Sequence, residues 1–176
     1  GKIDIGVYSM KDVPAQEVYP DLDIICWMQR HKPNDALISN SGKSFMDLPA
    51  GSVIGTSSIR RRSQVLSLRK DLSIKLLRGN VDTRIQKLRN NEYDAVILSY
   101  AGLARLNLDY LVTEVLELNL FLPAASQGAV GLQALKSSKV KKIFAPINDL
   151  KTQTECMAER RVLKNINANC NSPVSI

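Results

Sequence analysis

Short apolar runs alternate with helical patterns along nearly the whole chain, and that alternation limits the folds open to it. Ile3-Asp4-Ile5-Gly6-Val7, Leu22 to Met28, Ala36-Leu37-Ile38, Ser52 to Gly55, Ile74 to Leu77, Ala95 to Leu98 and Ala129 to Leu132 read as short, mostly buried strands. Val65, Leu66, Leu68 and Leu72 mark a helix with Ser57 or Ser58 as its N-cap, and Val81, Ile85 and Leu88 mark another entered at Asn80. Tyr110, Leu111, Val115 and Leu118 predict a third helix, and Thr152 to Ile166 a fourth. The expected class is α/β with largely parallel sheets.

Two prolines punctuate this pattern. Arg30-His31-Lys32-Pro33-Asn34 and Leu122-Pro123 read as crossing points between lobes, because proline disfavours helix at the residue before it. The segment 34–122 is then expected to be an inserted lobe. The chain opens GKIDIGVYS, already in a strand pattern, so it is expected to be a piece of a longer protein lacking an N-terminal part.

Apolar residues make up 44% of the 176, enough for a real core, and no apolar run reaches the length that spans a membrane. The net charge of +7 admits nucleic acid, an anionic surface or a small polyanion as partner. Only 5% of residues are aromatic and no nucleic-acid module is visible, so stacking readers are poorly supported. Cys26, Cys156 and Cys170 are far apart, with no C-x-x-C pair, which argues against a zinc site and suits free thiols in a reducing compartment.

Polar clusters follow several of the strands, where open α/β folds bind ligands. Tyr8-Ser9-Met10-Lys11-Asp12-Val13-Pro14 is one, Thr56-Ser57-Ser58 with Arg60 and Arg61 the second, and Arg78-Gly79-Asn80 with Arg84 the third; Arg105 makes a fourth. Arginine forks hold carboxylates or phosphates through paired hydrogen bonds, so several forks favour a ligand with several acid groups. No phosphate-binding glycine motif is present. The alternative is that these arginines are solvated helix faces, and Arg62 and Arg69 are assigned to that class. Asp12 is either a turn aspartate before Pro14 or an ionised group that stabilises a cation. Cys170 lies in the polar string Asn167-Ala168-Asn169-Cys170-Asn171-Ser172-Pro173, as an incidental loop thiol or an attachment point.

In this order, SMKDVP at 9–14, GTSSIRR at 55–61, LRGNVDTR at 77–84, YDAVILSYAGLARL at 93–106, LPAASQGAVGLQ at 122–133 and AERRVL…NCNSPV at 158–174 resemble the porphobilinogen deaminase (hydroxymethylbilane synthase) family over essentially the whole chain. The resemblance implies a transferase of tetrapyrrole (haem) biosynthesis. Such an enzyme joins four porphobilinogen molecules into hydroxymethylbilane and releases ammonia at each step. It implies a dipyrromethane cofactor bound covalently through Cys170, with Asp12 as the catalytic carboxylate. Lys11, Thr56, Ser57, Ser58, Arg60, Arg61 and Arg84 would line or hold the cofactor site, and Arg78 and Arg105 would bind substrate. The implied fold has two periplasmic-binding-protein-like lobes with mixed, mostly parallel sheets. Residues 1–33 and 123–147 would be the remainder of the first domain, 34–122 the second, and 151–176 the start of a small α+β third.

The expected partners are porphobilinogen and the growing polypyrrole chain. The protein is expected to be a cytoplasmic monomer that contacts neither nucleic acid nor membrane, and the piece alone is expected to be inactive. A two-lobed, non-enzymatic binding protein for a small polyanion is the second reading; it needs the arginines but not Asp12 or Cys170. The sequence departs from the family pattern at Tyr8 (usually His), Ser126 (usually Gly), Gln133 (usually Glu), and Ala168-Asn169 (commonly Gly-Gly).

Overall fold

Asp35–Ser39 and Ala95–Ser99 are apolar on successive residues rather than alternately, the mark of a strand covered on both faces. The computed structural model, which describes residues 3–16, 19–168 and 172–176, pairs these two antiparallel at the centre of a five-stranded sheet. Within the described positions the chain forms two compact units, one from residues 1–33, 124–170 and 176, the other from 34–123 with 171–175. Cys170 and Asn169 lie outside the described residues, so the expectations placed on them are untouched by the fold.

The second unit contains β3 (Asp35–Ser39), β4 (Val53–Gly55), α1 (Ile59–Leu68), β5 (Ser73–Lys75), α2 (Val81–Arg89), β6 (Ala95–Ser99), α3 (Tyr100–Arg105) and β7 (Glu114–Val115). The sheet order is β5-β4-β6-β3-β7. Leu37, Ile54, Ala95 and Ile97 point to one face, where they meet Val65 of α1, Phe45 and Phe121. Ala36, Ile38, Val96 and Leu98 point to the other, against Leu77, Ile85, Leu88 and Leu103. Each fully buried Leu or Ile contributes about 1.5–3 kcal/mol relative to exposure, so two covered faces give this unit its own core.

The first unit holds β1 (Gly6–Ser9), β2 (Leu22–Trp27), β8 (Val130–Leu135), the short helix α4 (Lys141–Phe144) and the long helix α5 (Leu150–Asn165). Its sheet, ordered β1-β8-β2, is wholly antiparallel. Met10, Trp27, Ala129 and Cys156 of α5 form one cluster, and Cys26, Leu132 and Ala134 form another with Val140 and Phe144.

The sheets are mixed, but the expectation that they are mostly parallel is corrected. Parallel pairing joins only β4 to β5 and β4 to β6, and every other pairing in the described residues is antiparallel. An apolar run buried on both faces has the same composition whichever way its neighbour runs, so direction was not legible locally. The third predicted helix is also absent. Its residues form a single 3-10 turn at Asp109–Leu111 and the edge strand β7, whose Val115 pairs with Ala36 of β3. Helical spacing was satisfied by chance, and pairing with an open sheet edge decided the outcome. The short helix α3 directly follows β6 and carries Arg105 at its end.

Candidate active site

In the second unit, β5, β4 and β6 are adjacent and parallel, so the segments that leave them emerge from the same edge of the sheet. After β4 come Thr56-Ser57-Ser58 and then α1. After β5 come Arg78-Gly79-Asn80 and then α2. After β6 comes α3, which ends at Arg105. The edge therefore collects two helix N-termini, whose free N–H groups favour anions, together with a dense set of guanidinium groups.

The caps follow local chemistry. The Ser58 side chain accepts from the Arg61 N–H, and the Thr56 hydroxyl accepts from the Ser58 N–H at 3.2 Å. Asn80 accepts from the Thr83 N–H at 2.8 Å, and Gly79 supplies the φ of +119° that lets the chain turn into α2. Gly55 is required by contact, because a Cβ there would sit 2.8 Å from the Tyr93 ring.

Arg60 and Arg61 are not solvated; they are 5% and 6% exposed and converge on Asp35, which is fully buried. Arg60 Nη2 is 2.8 Å from Asp35 Oδ2, and Arg60 Nη1 donates to the Leu122 carbonyl. Arg61 Nη2 donates to Asp35 Oδ1 at 2.7 Å and Nη1 to the Ile97 carbonyl at 3.0 Å. Arg61 Nε is buried and has no hydrogen-bond partner among the described residues. Arg84 donates from Nε to the Gly79 carbonyl at 2.7 Å. Burial lowers the pKa of Arg84, and the like charge of Arg61 lowers it further. Burial lowers that of Arg60 as well; Asp35 opposes the shift and Arg61 adds to it.

Arg78 and Ser57 are exposed on this edge, Ser58 is half-buried and Thr56 is buried. Arg62 is exposed as expected, but Arg69 is not a solvated side chain. It forms a two-point pair with Asp71 and donates to the carbonyls of Phe45, Met46 and Leu48, which ties the 45–48 loop to the end of α1. Arg69 keeps a raised pKa through its hydrogen bond to Asp71.

In the first unit, Met10–Asp12 forms a 3-10 turn directly after β1. Met10 is fully buried, Lys11 is half-buried with Nζ 3.4 Å from Gln127 Oε1, and the Asp12 side chain is exposed. Asp12 lines a cavity of about 370 Å³ with Tyr8, Gln133, Lys136, Arg160 and Lys164. Tyr8 and Gln133, two of the departures from the family pattern, thus border the same space as Asp12.

Other departures have a physical explanation. Ser126 is fully buried at φ +60°, a left-handed conformation that glycine adopts without strain. At the end of α5 the left-handed position is Asn167, at φ +52°. The Asn167 N–H reaches the Lys164 carbonyl and the Ala168 N–H reaches the Leu163 carbonyl, a Schellman cap. Asparagine tolerates that conformation, and Ala168 is not the residue asked to adopt it.

Comparison with known proteins bears on this arrangement. A family profile described as "Porphobilinogen deaminase, dipyromethane cofactor binding domain" matches residues 1–142. The chain belongs to the porphobilinogen deaminase family. It is 41% identical over 175 residues to porphobilinogen deaminase of Roseiflexus castenholzii (strain DSM 13941 / HLO8), covering 99% of this chain and 57% of that protein. It is 44% identical over 177 residues to porphobilinogen deaminase of Bacillus mycoides (strain KBAB4), with the same coverage. The chain thus spans just over half the length of the curated relatives it matches. Among solved structures, the 1.7 Å crystal structure of protein PG110 from Staphylococcus aureus aligns with a TM-score of 0.55 at 10% identity, over 91% of this chain and 74% of that one, which shows a shared fold.

The matched profile is named for a dipyrromethane cofactor, and the second unit offers cationic groups to an acidic ligand. Arg61, whose buried Nε has no partner among the described residues, Arg84 and two helix N-termini lie on one sheet edge, with Asp35 the acid paired to Arg60 and Arg61. Two residues that sequence reasoning missed are Asp35 and Arg160. Asp35 had a readable signal, since an acid leading the buried run Ala36-Leu37-Ile38 needs a cationic partner. Arg160 had none.

Proposed function

We propose that the protein to which this chain belongs condenses porphobilinogen stepwise into the linear tetrapyrrole hydroxymethylbilane and releases ammonia at each step. The observation that carries this reading is the cationic sheet edge of the second unit, in a member of a family named for this reaction. Porphobilinogen brings an acetate and a propionate on each ring, and paired carboxylates are what several planar guanidinium forks hold.

In this reading Arg61 and Arg84, with the N–H groups opening α1 and α2, bind carboxylates. Thr56, Ser57 and Ser58 shape the first of those helix entries. Arg60 belongs to the same carboxylate-binding set, with its fork oriented by Asp35. Arg78 and Arg105 extend the binding edge to further pyrrole rings. Lys11 adds positive charge beside Asp12.

Asp12 stabilises the positive charge that develops on the pyrrole when ammonia departs. A fixed carboxylate does this without reorganising at the moment of reaction, an effect commonly of several kcal/mol. A dipyrromethane held through Cys170 supplies the anchored acceptor on which the chain is built. The enzyme acts as a cytoplasmic monomer on a small soluble substrate; no helix among the described residues is long and apolar enough to cross a membrane.

The test is turnover of porphobilinogen by the full-length protein beside its Asp12→Asn variant. Hydroxymethylbilane formation by the parent and a stalled but cofactor-loaded variant are expected. Retained ligand binding with no turnover by the parent would instead support a binding protein.

A further inference from the structure

We propose that Arg160 is the positioning residue for the Asp12 loop, an inference that rests on the catalytic reading of Asp12 given above. Its guanidinium, carried on α5, donates to three backbone carbonyls of that loop. Nη1 reaches Met10 O at 3.2 Å and Val13 O at 2.8 Å, and Nη2 reaches Pro14 O at 2.6 Å. The three carbonyls bracket Asp12.

Among the described residues, the backbone bonds that the loop makes within itself are few. The Met10–Asp12 turn is closed by one long backbone bond, Val13 N to Met10 O at 3.4 Å, and Pro14 has no N–H to contribute. One end is fixed, because Met10 is fully buried and its N–H donates to the Ala129 carbonyl at 3.0 Å. The other end is fixed by the Arg160 fork. The Asp12 side chain itself is exposed, so the backbone on either side of it fixes the point from which the side chain departs. The guanidinium spreads its donors over two nitrogens, Nη1 serving Met10 and Val13 and Nη2 serving Pro14; a lysine ammonium is a compact point donor with a different reach.

The same helix also fastens the β8 approach. Glu159, next to Arg160 on α5, accepts from Arg30 Nη1 at 2.6 Å and from the Ser126 N–H, so one residue holds both of those segments. Arg160 is thereby mounted on a part of the unit that is itself anchored, and this makes it an effective template for the loop.

The experiment uses the full-length protein with Arg160→Gln, Arg160→Lys and, as control, Arg161→Gln at the exposed neighbouring position. Misplacing a reacting group by about 1 Å costs on the order of 100-fold in rate, so kcat is expected to fall roughly 10- to 100-fold in Arg160→Gln. KM should stay within about twofold, the control should match the parent, and Arg160→Lys should recover only part of the loss. Amide hydrogen exchange across residues 9–14 should accelerate in Arg160→Gln and not in Arg161→Gln. Added guanidinium should partly restore kcat in an Arg160→Ala variant.

A raised KM with unchanged kcat would make Arg160 a substrate ligand and overturn the proposal. Unchanged exchange across 9–14 in folded Arg160→Gln would overturn it too. The exchange measurement needs no turnover, so it tests loop positioning even if Asp12→Asn removes the catalytic reading of Asp12.

Discussion

Asp35→Asn isolates the buried charge pair on which the binding edge stands. The substitution keeps the side chain's size and one acceptor oxygen but removes the negative charge shared by Arg60 and Arg61. Asp35 is fully buried and its partners are 5% and 6% exposed, so water cannot take over the lost interaction. Removing one partner of a buried ion pair destabilises by roughly 3–5 kcal/mol, because the remaining charge stays desolvated and unpaired. Here two guanidinium groups are left, at 2.7 and 2.8 Å from the altered group, and the upper part of that range is expected.

For a chain of this size about 1 kcal/mol moves Tm by roughly 2–4 °C, so a fall of roughly 8–20 °C is predicted. Thermal melts followed by circular dichroism, beside an exposed control such as Asp21→Asn, provide the measurement. Added salt should leave the difference nearly unchanged, since buried charges are weakly screened. A Tm within 2 °C of the parent would refute the reasoning and show that Arg60 and Arg61 find other compensation.

Further predictions address separate parts of the structure. Ser126→Gly should raise Tm by about 2 °C, because relief of a left-handed serine is worth on the order of 1 kcal/mol; a lower Tm would mean that the serine contacts outweigh the strain. Burial raises the pKa of the Cys156 thiol, with the Ser126 hydroxyl and Arg30 opposing the shift. Its folded-state pKa lies above the unfolded value of about 8.5, so the neutral buried thiol contributes stability below that pH and the contribution is lost as pH rises through the folded pKa. Denaturant midpoints between pH 7 and 10 should fall accordingly, and native Cys156 should resist alkylation at pH 8. Arg78→Gln, at the exposed position read as substrate-binding, should raise the KM for porphobilinogen about 10-fold or more by removing a charge-assisted contact; steady-state kinetics on the full-length protein would show it.

The recurrence of short apolar runs, the caps at Ser58 and Asn80, the helix ending near Asn165 and the crossings near Pro33 and Pro123 are local facts. Each depends on residues within one or two turns of one another, so chain order alone specifies it. The motifs from Ser9 to Pro14 and from Gly55 to Arg61 belong to the same class, and with Arg78 and Arg84 they read as a site for a ligand with several acid groups.

What tertiary structure decided is which groups meet across long stretches of chain. Strand direction went unread because an apolar run covered on both faces looks alike in either orientation. Val115 joined β3 as an edge strand although its spacing suited a helix, since an open row of N–H and C=O groups outweighs weak propensity. The Asp35 carboxylate meets Arg60 and Arg61 from 25 and 26 residues away, and Arg160 reaches Met10 across 150. Charged side chains in a run such as Glu159-Arg160-Arg161 look equivalent in sequence. The fold packs one face of that helix turn against the 10–14 loop and leaves Arg161 in water, and that contact is what turns one arginine into the support of a loop while its neighbour stays solvated.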